Sequence, residues 1–409
     1  MAKIGLLIIV LIVITLVPPQ NQFTAMSTYS SVTGLSETTA DYWPTTDWLE
    51  STPEEQGMNS TKLNQVIDYI NDLNFAIDSV VVVRHGYIVL EEYFNPSVSN
   101  QSSLHFVYSV TKSFTSALIG IAIQKGFIEN VDQKVVDLFS NRIIANLDSR
   151  KQNMTIEHLL TMSTGLEWDE WTYSYDDSRN DVIKMIYSSD SVQFILDRLM
   201  VNDPGEEWVY SSGASHLLSA IIEQTTNYNT LEFANEFLFG PLGITDVDWW
   251  QDPQGIYYGG FGLYLRARDM AKFGYLYLNN GTWDSQQIVS ADWVAKSTET
   301  AFLRGGGHGY GYQWWTYPQL GIYYAIGLYD QSIFVVPDYN MVVVFTANIT
   351  SGSNPEHNLL FDYIIPAVIN DTNATTAPFR FDILLPTLLI ALMIPVIAAV
   401  VMIIRTRRR

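Results

Sequence analysis

Ser109-Val110-Thr111-Lys112 sets a hydroxyl and an amine three residues apart at the head of a strongly helical stretch. On a helix the first and fourth residues share a face, which puts the amine beside the hydroxyl. An unactivated serine is a poor nucleophile, and a neutral amine next to it can take its proton. Such a lysine needs a lowered pKa, which burial and nearby positive charge supply. A helix N-terminus also aims backbone N–H groups at a developing oxyanion. Taken alone the S-x-x-K spacing is common by chance and more often marks an ordinary solvated helix start.

The elements that would hold these residues are legible from periodicity. Ser60 to about Asn74 reads as a helix with Leu63, Val66, Ile67 and Ile70 on one face. The valine run Ser79 to Arg84, the turn His85-Gly86 and the return Tyr87 to Phe94 read as a hairpin whose first strand is buried on both faces. Phe106 to Lys125 reads as a second helix, with Phe114, Leu118, Ile121 and Ala122 as an apolar stripe. From Gly126 to Gly243 the pattern is helical with irregular connections, the firmest segments being 156–160, 192–199, 215–225 and 231–238. Strand character returns over 310–317, 322–326, 331–336 and 341–347, with Pro337 to Asn340 as the last turn. The expected fold is α/β of the α+β type. It is an antiparallel sheet closed by both ends of the chain and flanked by helices, with a mostly helical domain inserted and a cleft between the two. In residue ranges this gives a lead segment at 21–50, an α/β domain at 51–125 and 245–370, and a helical domain at 126–244.

The termini add a membrane expectation. Ile4 to Val17 is apolar after Lys3 and precedes Pro18-Pro19, so residues 1–20 read as a secretory signal or signal-anchor. Ile383 to Ile404 is a long uncharged apolar run followed by Arg405-Thr406-Arg407-Arg408-Arg409. This reads as a C-terminal transmembrane helix after a linker at 371–382, with the 405–409 tail held on the cytoplasmic side. The expected localisation is the cell membrane, with the lipid bilayer as a partner through 383–404 and the body of the protein outside the cytoplasm. Asn-x-Ser/Thr sequons at Asn59, Asn153, Asn280, Asn348, Asn370 and Asn373 are compatible with glycosylation there.

Composition narrows the class further. Of the 409 residues 47% are hydrophobic, enough for a large core and too many for a disordered solvating chain. A net charge of −21 argues against nucleic acid as a partner, since phosphates need a basic footprint. Zero cysteine excludes disulfides, Cys-ligated zinc and thiol nucleophiles. His85, His105, His158, His216, His308 and His357 show no metal-ligand spacing, and no metal or cofactor is expected. Gly305-Gly306-Gly307-His308-Gly309 lacks the G-K-[ST] ending of a phosphate loop and reads as a mobile rim.

Several stretches in order resemble the serine beta-lactamase and penicillin-recognising superfamily, and within it the class C beta-lactamase-related hydrolases that include esterases and 6-aminohexanoate-dimer hydrolase. They are HFVYSVTKSFTSALIGIAIQKGFIENVDQKV, IEHLLTMSTGLEW, DPGEEWVYSSGASHLLSAIIEQTT, FLFGPLGITD, GGFGLYLRARDMAKFGYLYLNNGTWDSQQIVSADWV and YAIGLYDQSIFVVPDYNMVVVF. Together they span roughly residues 50 to 365. The resemblance implies a beta-lactamase-like fold, with Ser109 as the acylated nucleophile, Lys112 as its base and Tyr210, in Tyr210-Ser211-Ser212, as the second proton-transfer group. It sets Ala325-Ile326-Gly327 on the cleft strand where lactamases carry K-T-G, so that the Leu328 N–H joins that of Ser109 in an oxyanion hole. Here the chain departs from the pattern at two places. Ser212 replaces an asparagine, leaving fewer hydrogen-bonding groups, and Ala325 replaces a lysine, removing the charge that would greet a beta-lactam or peptide carboxylate.

Further candidates for substrate contact are Trp168, Trp171 and Tyr173, with Tyr175, which stack on substrate or pack a surface loop. Asp330 and Gln331 follow the cleft strand, and Asp330 either favours an amine-bearing substrate or faces water. The leading expectation is a serine hydrolase that cleaves a small-molecule or peptide-like ester or amide. The alternatives are a D-amino-acid peptidase and a non-catalytic surface binding domain of the same fold.

Overall fold

Val80 and Val82 point to one side of their strand and Val81 and Val83 to the other, and all four are fully buried because the sheet they enter is covered on both faces. Each such burial contributes about 1.5–3 kcal/mol, so this run fixes the strand between the two layers that cover the sheet. The structure is a computed structural model describing residues 42–94, 99–350 and 354–369. The signal at 1–20, most of the lead segment, the linker at 371–382, the apolar run at 383–404, the basic tail and the sequons at Asn370 and Asn373 lie outside the described residues. Among the described residues no helix is long and apolar enough to cross a membrane.

The strands of the main sheet are β1 (Ile77–Arg84), β2 (Tyr87–Tyr93), β3 (Phe302–Leu303), β4 (Gly309–Tyr310), β5 (Trp315–Tyr317), β6 (Ile322–Gly327), β7 (Gln331–Val336) and β8 (Met341–Ala347). They form one eight-stranded sheet in the order β2-β1-β8-β7-β6-β5-β4-β3, with every pairing antiparallel. The pairing of β1 with β8, from Val80 against Phe345 to Arg84 against Met341, joins the two ends of the described chain.

One face of the sheet is covered by α1 (Ser60–Leu73), whose buried Leu63, Val66 and Ile70 pack with Leu359, Leu360 and Ile364 over Val80, Val82, Phe334 and Val343. Asn59 caps this helix by accepting from the Lys62 N–H. The other face carries α2 (Thr111–Gln124) and, beyond the helical segment, α5 (Ala267–Leu278). Between these two in sequence lie short helices including 156–160, α3 (Asp181–Ile186) and 191–196, and then α4 (Ser212–Thr226).

Three details differ from the sequence reading. Residues 310–317 are two strands rather than one, because Gln313 takes a left-handed φ of 63° and Gly311 donates to the Trp314 carbonyl, closing a turn between β4 and β5. The Gln313 side chain then anchors that turn by donating to the Leu159 and Leu160 carbonyls and accepting from Ser215, which ties the sheet to the helical segment. The helix expected over 106–125 begins only at Thr111, behind a 3-10 turn at Tyr108–Val110. It carries no single apolar stripe, since every residue from Thr111 to Ala122 is buried; Ser113 and Thr115 satisfy their hydroxyls on the Gln313 and Gly259 carbonyls.

The α5 helix meets the sheet at Gly274. A Cβ there would lie 2.6 Å from Val342 Cγ1 and 2.8 Å from Ile333 Cγ2, so only glycine allows this approach. Gly274→Val is expected to destabilise the protein by about 3 kcal/mol through overpacking, despite adding a helix-compatible side chain. Urea unfolding checks this, and an unchanged midpoint would contradict the packing described.

Candidate active site

The 3-10 turn that carries Ser109 is held in an unusual backbone state: Tyr108 has a φ of +46°, a left-handed value that costs a bulky residue conformational energy. The turn is locked against the end of β6. A side chain at Gly327 would overlap the Val107 carbonyl oxygen and lie 3.1 Å from the Ser109 nitrogen, and those neighbours are backbone that cannot swing aside. The glycine thus serves the approach of the serine turn itself to the strand. It brings the Ser109 and Leu328 backbones together, and Leu328 remains partly exposed at the mouth of the site.

In the first turn of α2, Lys112 is 1% exposed. Its amine lies 3.1 Å from Ser109 Oγ, 3.0 Å from Ser212 Oγ and 2.8 Å from the Gly260 carbonyl oxygen. Gly260 can present that carbonyl because it has no side chain where a Cβ would meet Ser212 at about 3 Å. Burial pushes the amine down to about 8, and the charge of Glu170 opposes the shift. The Tyr210 ring closes the other side, its centroid 4.7 Å from the amine. Burial raises the Tyr210 phenol above its ordinary value and Glu170 adds to this, while the Ser109 hydroxyl acts in the opposite sense. Tyr210 is held by stacking on Trp171 at 5.3 Å and on Trp315 at 6.2 Å.

Glu170 is the group that sequence reasoning missed. It is 2% exposed and accepts from the Trp168 indole at 2.6 Å, the Tyr175 hydroxyl at 3.0 Å, the Ser212 N–H at 2.7 Å and the Ser212 hydroxyl at 2.9 Å. Nothing in its residue type marks it in so acidic a chain; its position between Trp168 and Trp171, both singled out, was the available signal.

Beside Ser109 lies a cavity of about 160 Å³, lined by Phe106, Tyr108, Tyr175, Val182, Ile183, Ile186, Trp250, Phe261 and Leu328 together with Ser109 and Ser212. A small three-stranded sheet of His105–Phe106, Leu263–Leu265 and Asp248–Trp249 positions the Phe106 side of this wall, and α3 supplies Val182, Ile183 and Ile186. No lysine or arginine lines it. Ala325, which the resemblance sets at the place of the K-T-G lysine, is buried.

The remaining candidates fall elsewhere. Trp168 is buried behind the site, over Gly213. Trp171 is 59% exposed and reaches the site only through its stacking on Tyr210. Tyr173 lies under the Arg179 guanidinium at 4.1 Å and does not line the cavity. Asp330 neither lines the cavity nor faces water. Left-handed backbone at Tyr329 and Asp330 precedes β7, and the Asp330 carboxyl is buried against Glu356. Burial pushes both carboxyls upward, and the charge of Asp330 pushes Glu356 further. Gln331 is likewise internal, donating to the Ala347 carbonyl and accepting from the Ala347 N–H at 3.3 Å. His158 belongs to a capping box with Thr155, and among the described residues no cluster of three or more His, Asp or Glu is placed to hold a metal ion.

A family profile described as Beta-lactamase matches residues 64–365. The chain is 24% identical over 290 residues to the 6-aminohexanoate-dimer hydrolase of Paenarthrobacter ureafaciens, which covers 65% of this chain and 71% of that one. It is 24% identical over 350 residues to an uncharacterized protein of Alkalihalophilus pseudofirmus, covering 75% and 94% respectively. Among solved structures, EstCE1, a hydrolase with promiscuous acyltransferase activity, superposes with a TM-score of 0.64 at 16% identity over 78% of this chain and 99% of that one. A class C beta-lactamase mutant superposes at 0.56 with 14% identity, over 75% and 97%. At such identities these structures share the fold.

Gly327→Ala is expected to push the Ser109 turn off β6 and lower kcat/KM for a short-chain p-nitrophenyl ester about 100-fold, with the far-ultraviolet circular dichroism unchanged. Wild-type turnover in this variant would contradict the backbone contact described.

Proposed function

This chain belongs to the beta-lactamase family, and from that premise we propose that it is a serine hydrolase cleaving a neutral ester or amide with an apolar acyl group through an acyl-enzyme on Ser109. The observation that carries the reading is the Lys112 amine, withdrawn from water and 3.1 Å from Ser109 Oγ. A buried lysine held down to about 8 spends a useful fraction of its time neutral near physiological pH. In that state it accepts the Ser109 proton as Oγ attacks the carbonyl carbon. The Ser109 and Leu328 N–H groups take the resulting oxyanion. The proton passes from Lys112, with Tyr210 beside it, to the leaving alcohol or amine. Water then attacks the acyl-enzyme with the same groups acting in reverse, releasing the acid and restoring the serine.

The wall of the cavity supports the substrate class. Its mostly aliphatic and aromatic lining holds no lysine or arginine to pair with a charged acyl group, and stripping a carboxylate of water without a cation to compensate is costly. This counts against a carboxypeptidase reading, since Ala325 leaves the substrate carboxylate without a cation on the strand. A non-catalytic binding domain would have no use for a lysine buried at such desolvation cost beside a partly buried serine. The apolar run at 383–404 and the basic residues after it support a membrane-anchored hydrolase with its site outside the cytoplasm. The full chain should therefore stay with the membrane fraction after alkaline carbonate washing, and release by the wash would refute the anchor.

For the purified enzyme, kcat/KM on p-nitrophenyl butyrate should rise with pH through about 8, because raising pH converts Lys112 to the neutral base. Butyrate should exceed the hemisuccinate ester at least about 100-fold in kcat/KM, and Ser109→Ala should abolish both. Equal rates for the two esters would overturn the apolar acyl assignment, and turnover surviving in Ser109→Ala would overturn the nucleophile.

A further inference from the structure

The Lys112 amine has oxygen partners on three sides, and a base must point its lone pair at one of them. Protonated, the ammonium can donate to Ser109 Oγ, Ser212 Oγ and the Gly260 carbonyl together. Neutral, it keeps two N–H groups and one lone pair, so which oxygen receives the lone pair depends on which of the three can donate. The Gly260 carbonyl can only accept. The two hydroxyls are chemically alike, and nothing at Lys112 itself distinguishes Ser109 from Ser212.

Glu170 makes that distinction. Its Oε2 is taken by two groups that can only donate, the Trp168 indole and the Ser212 N–H. Its Oε1 lies 2.9 Å from the Ser212 hydroxyl and 3.0 Å from that of Tyr175. Four donors around two buried oxygens suit an ionised carboxylate, which accepts only. The Ser212 hydrogen is thereby drawn to Glu170, and Ser212 Oγ is left as an acceptor for the amine. With Ser212 and Gly260 both accepting, the two N–H groups of neutral Lys112 are used, and its lone pair falls on Ser109 Oγ.

We infer that Glu170, acting through Ser212, is a positioning residue that aims the Lys112 lone pair at Ser109 and sets the electrostatic surroundings of that amine. The inference rests on the serine-hydrolase reading above. It also gives Ser212 a definite role, because where an asparagine would offer a carboxamide, this chain uses a hydroxyl whose direction is fixed by a buried acid. Glu170 is the charged group that acts on the amine; the other titratable group against it is Tyr210, with Tyr175 and Tyr310 packed behind. Removing the negative charge makes the protonated amine easier to discharge, so the pH at which activity rises must move downward.

The test is the pH dependence of kcat/KM on p-nitrophenyl butyrate for wild type, Glu170→Gln and Ser212→Ala, with labelling of each by a serine-reactive phosphonate. In Glu170→Gln the rising limb should shift about one pH unit lower, and the plateau should fall at least about tenfold because Ser212 is no longer held as an acceptor. Ser212→Ala keeps the Glu170 charge and loses one acceptor of the ammonium, so its limb should move lower by less than that of Glu170→Gln while its plateau falls at least about tenfold. A Glu170 that merely braced its loop would lower thermal stability and leave the limb unmoved, which overturns the inference. If Glu170→Gln does not fold, Ser212→Ala decides: a wild-type plateau refutes the relay and a depressed one supports it. Phosphonate that fails to label wild-type Ser109 sinks the parent reading; labelling with an unshifted limb and full plateaus sinks the relay alone.

Discussion

An amine removed from water must find oxygen partners or lose its charge, and Lys112 is arranged to do both within reach of a serine hydroxyl. The desolvation that lowers its pKa comes from a helix buried all round, and a helix can be buried all round only if other layers enclose it. The eight-stranded sheet, α4 and the loop around Gly260 supply those layers. Much of the architecture can be understood as what is needed to keep one lysine dry while leaving the neighbouring serine accessible.

Placement of the serine depends on a second constraint, the close approach of two backbones. Gly327 lets the Tyr108–Val110 turn press against β6, and the left-handed Tyr108 that results presents Ser109 to the cavity. The strand is held firmly by its neighbours in the sheet, and the turn by α2 behind it, so the relative position of Ser109 and Leu328 is fixed by rigid elements rather than by a flexible loop. The apolar cavity then lies between this turn, α3 and the small sheet that carries Phe106.

What could be read from the sequence divides by range. Ser109 and Lys112 are one helical turn apart, and a fixed local spacing survives whatever the rest of the chain does. The valine run of β1 and the strands at 322–327, 331–336 and 341–347 were legible because alternation and turn residues are likewise local. Tyr210 came from resemblance, since no spacing brings it to a lysine 98 positions earlier. Glu170 escaped because its importance arises only when the loop after Trp168 folds back on the N-terminus of α4. Asp330 was misplaced for a related reason: its position just past the cleft strand suggested the rim, whereas left-handed backbone at 329 and 330 accompanies a side chain buried against Glu356. The stretch 310–317 kept strand composition through a turn whose cause, the anchoring of Gln313 on a helical segment more than a hundred residues earlier, leaves no mark in periodicity.

The central claim is that Ser109 carries the acyl group and that Lys112 puts it there. Rapid acid quench of the enzyme during turnover of p-nitrophenyl butyrate, followed by peptide mass spectrometry, tests it most directly. The account requires one butyryl group on the peptide containing Ser109 in wild type, and none there in Lys112→Ala. Turnover without an acylated Ser109, or the acyl group found on another residue, would contradict it.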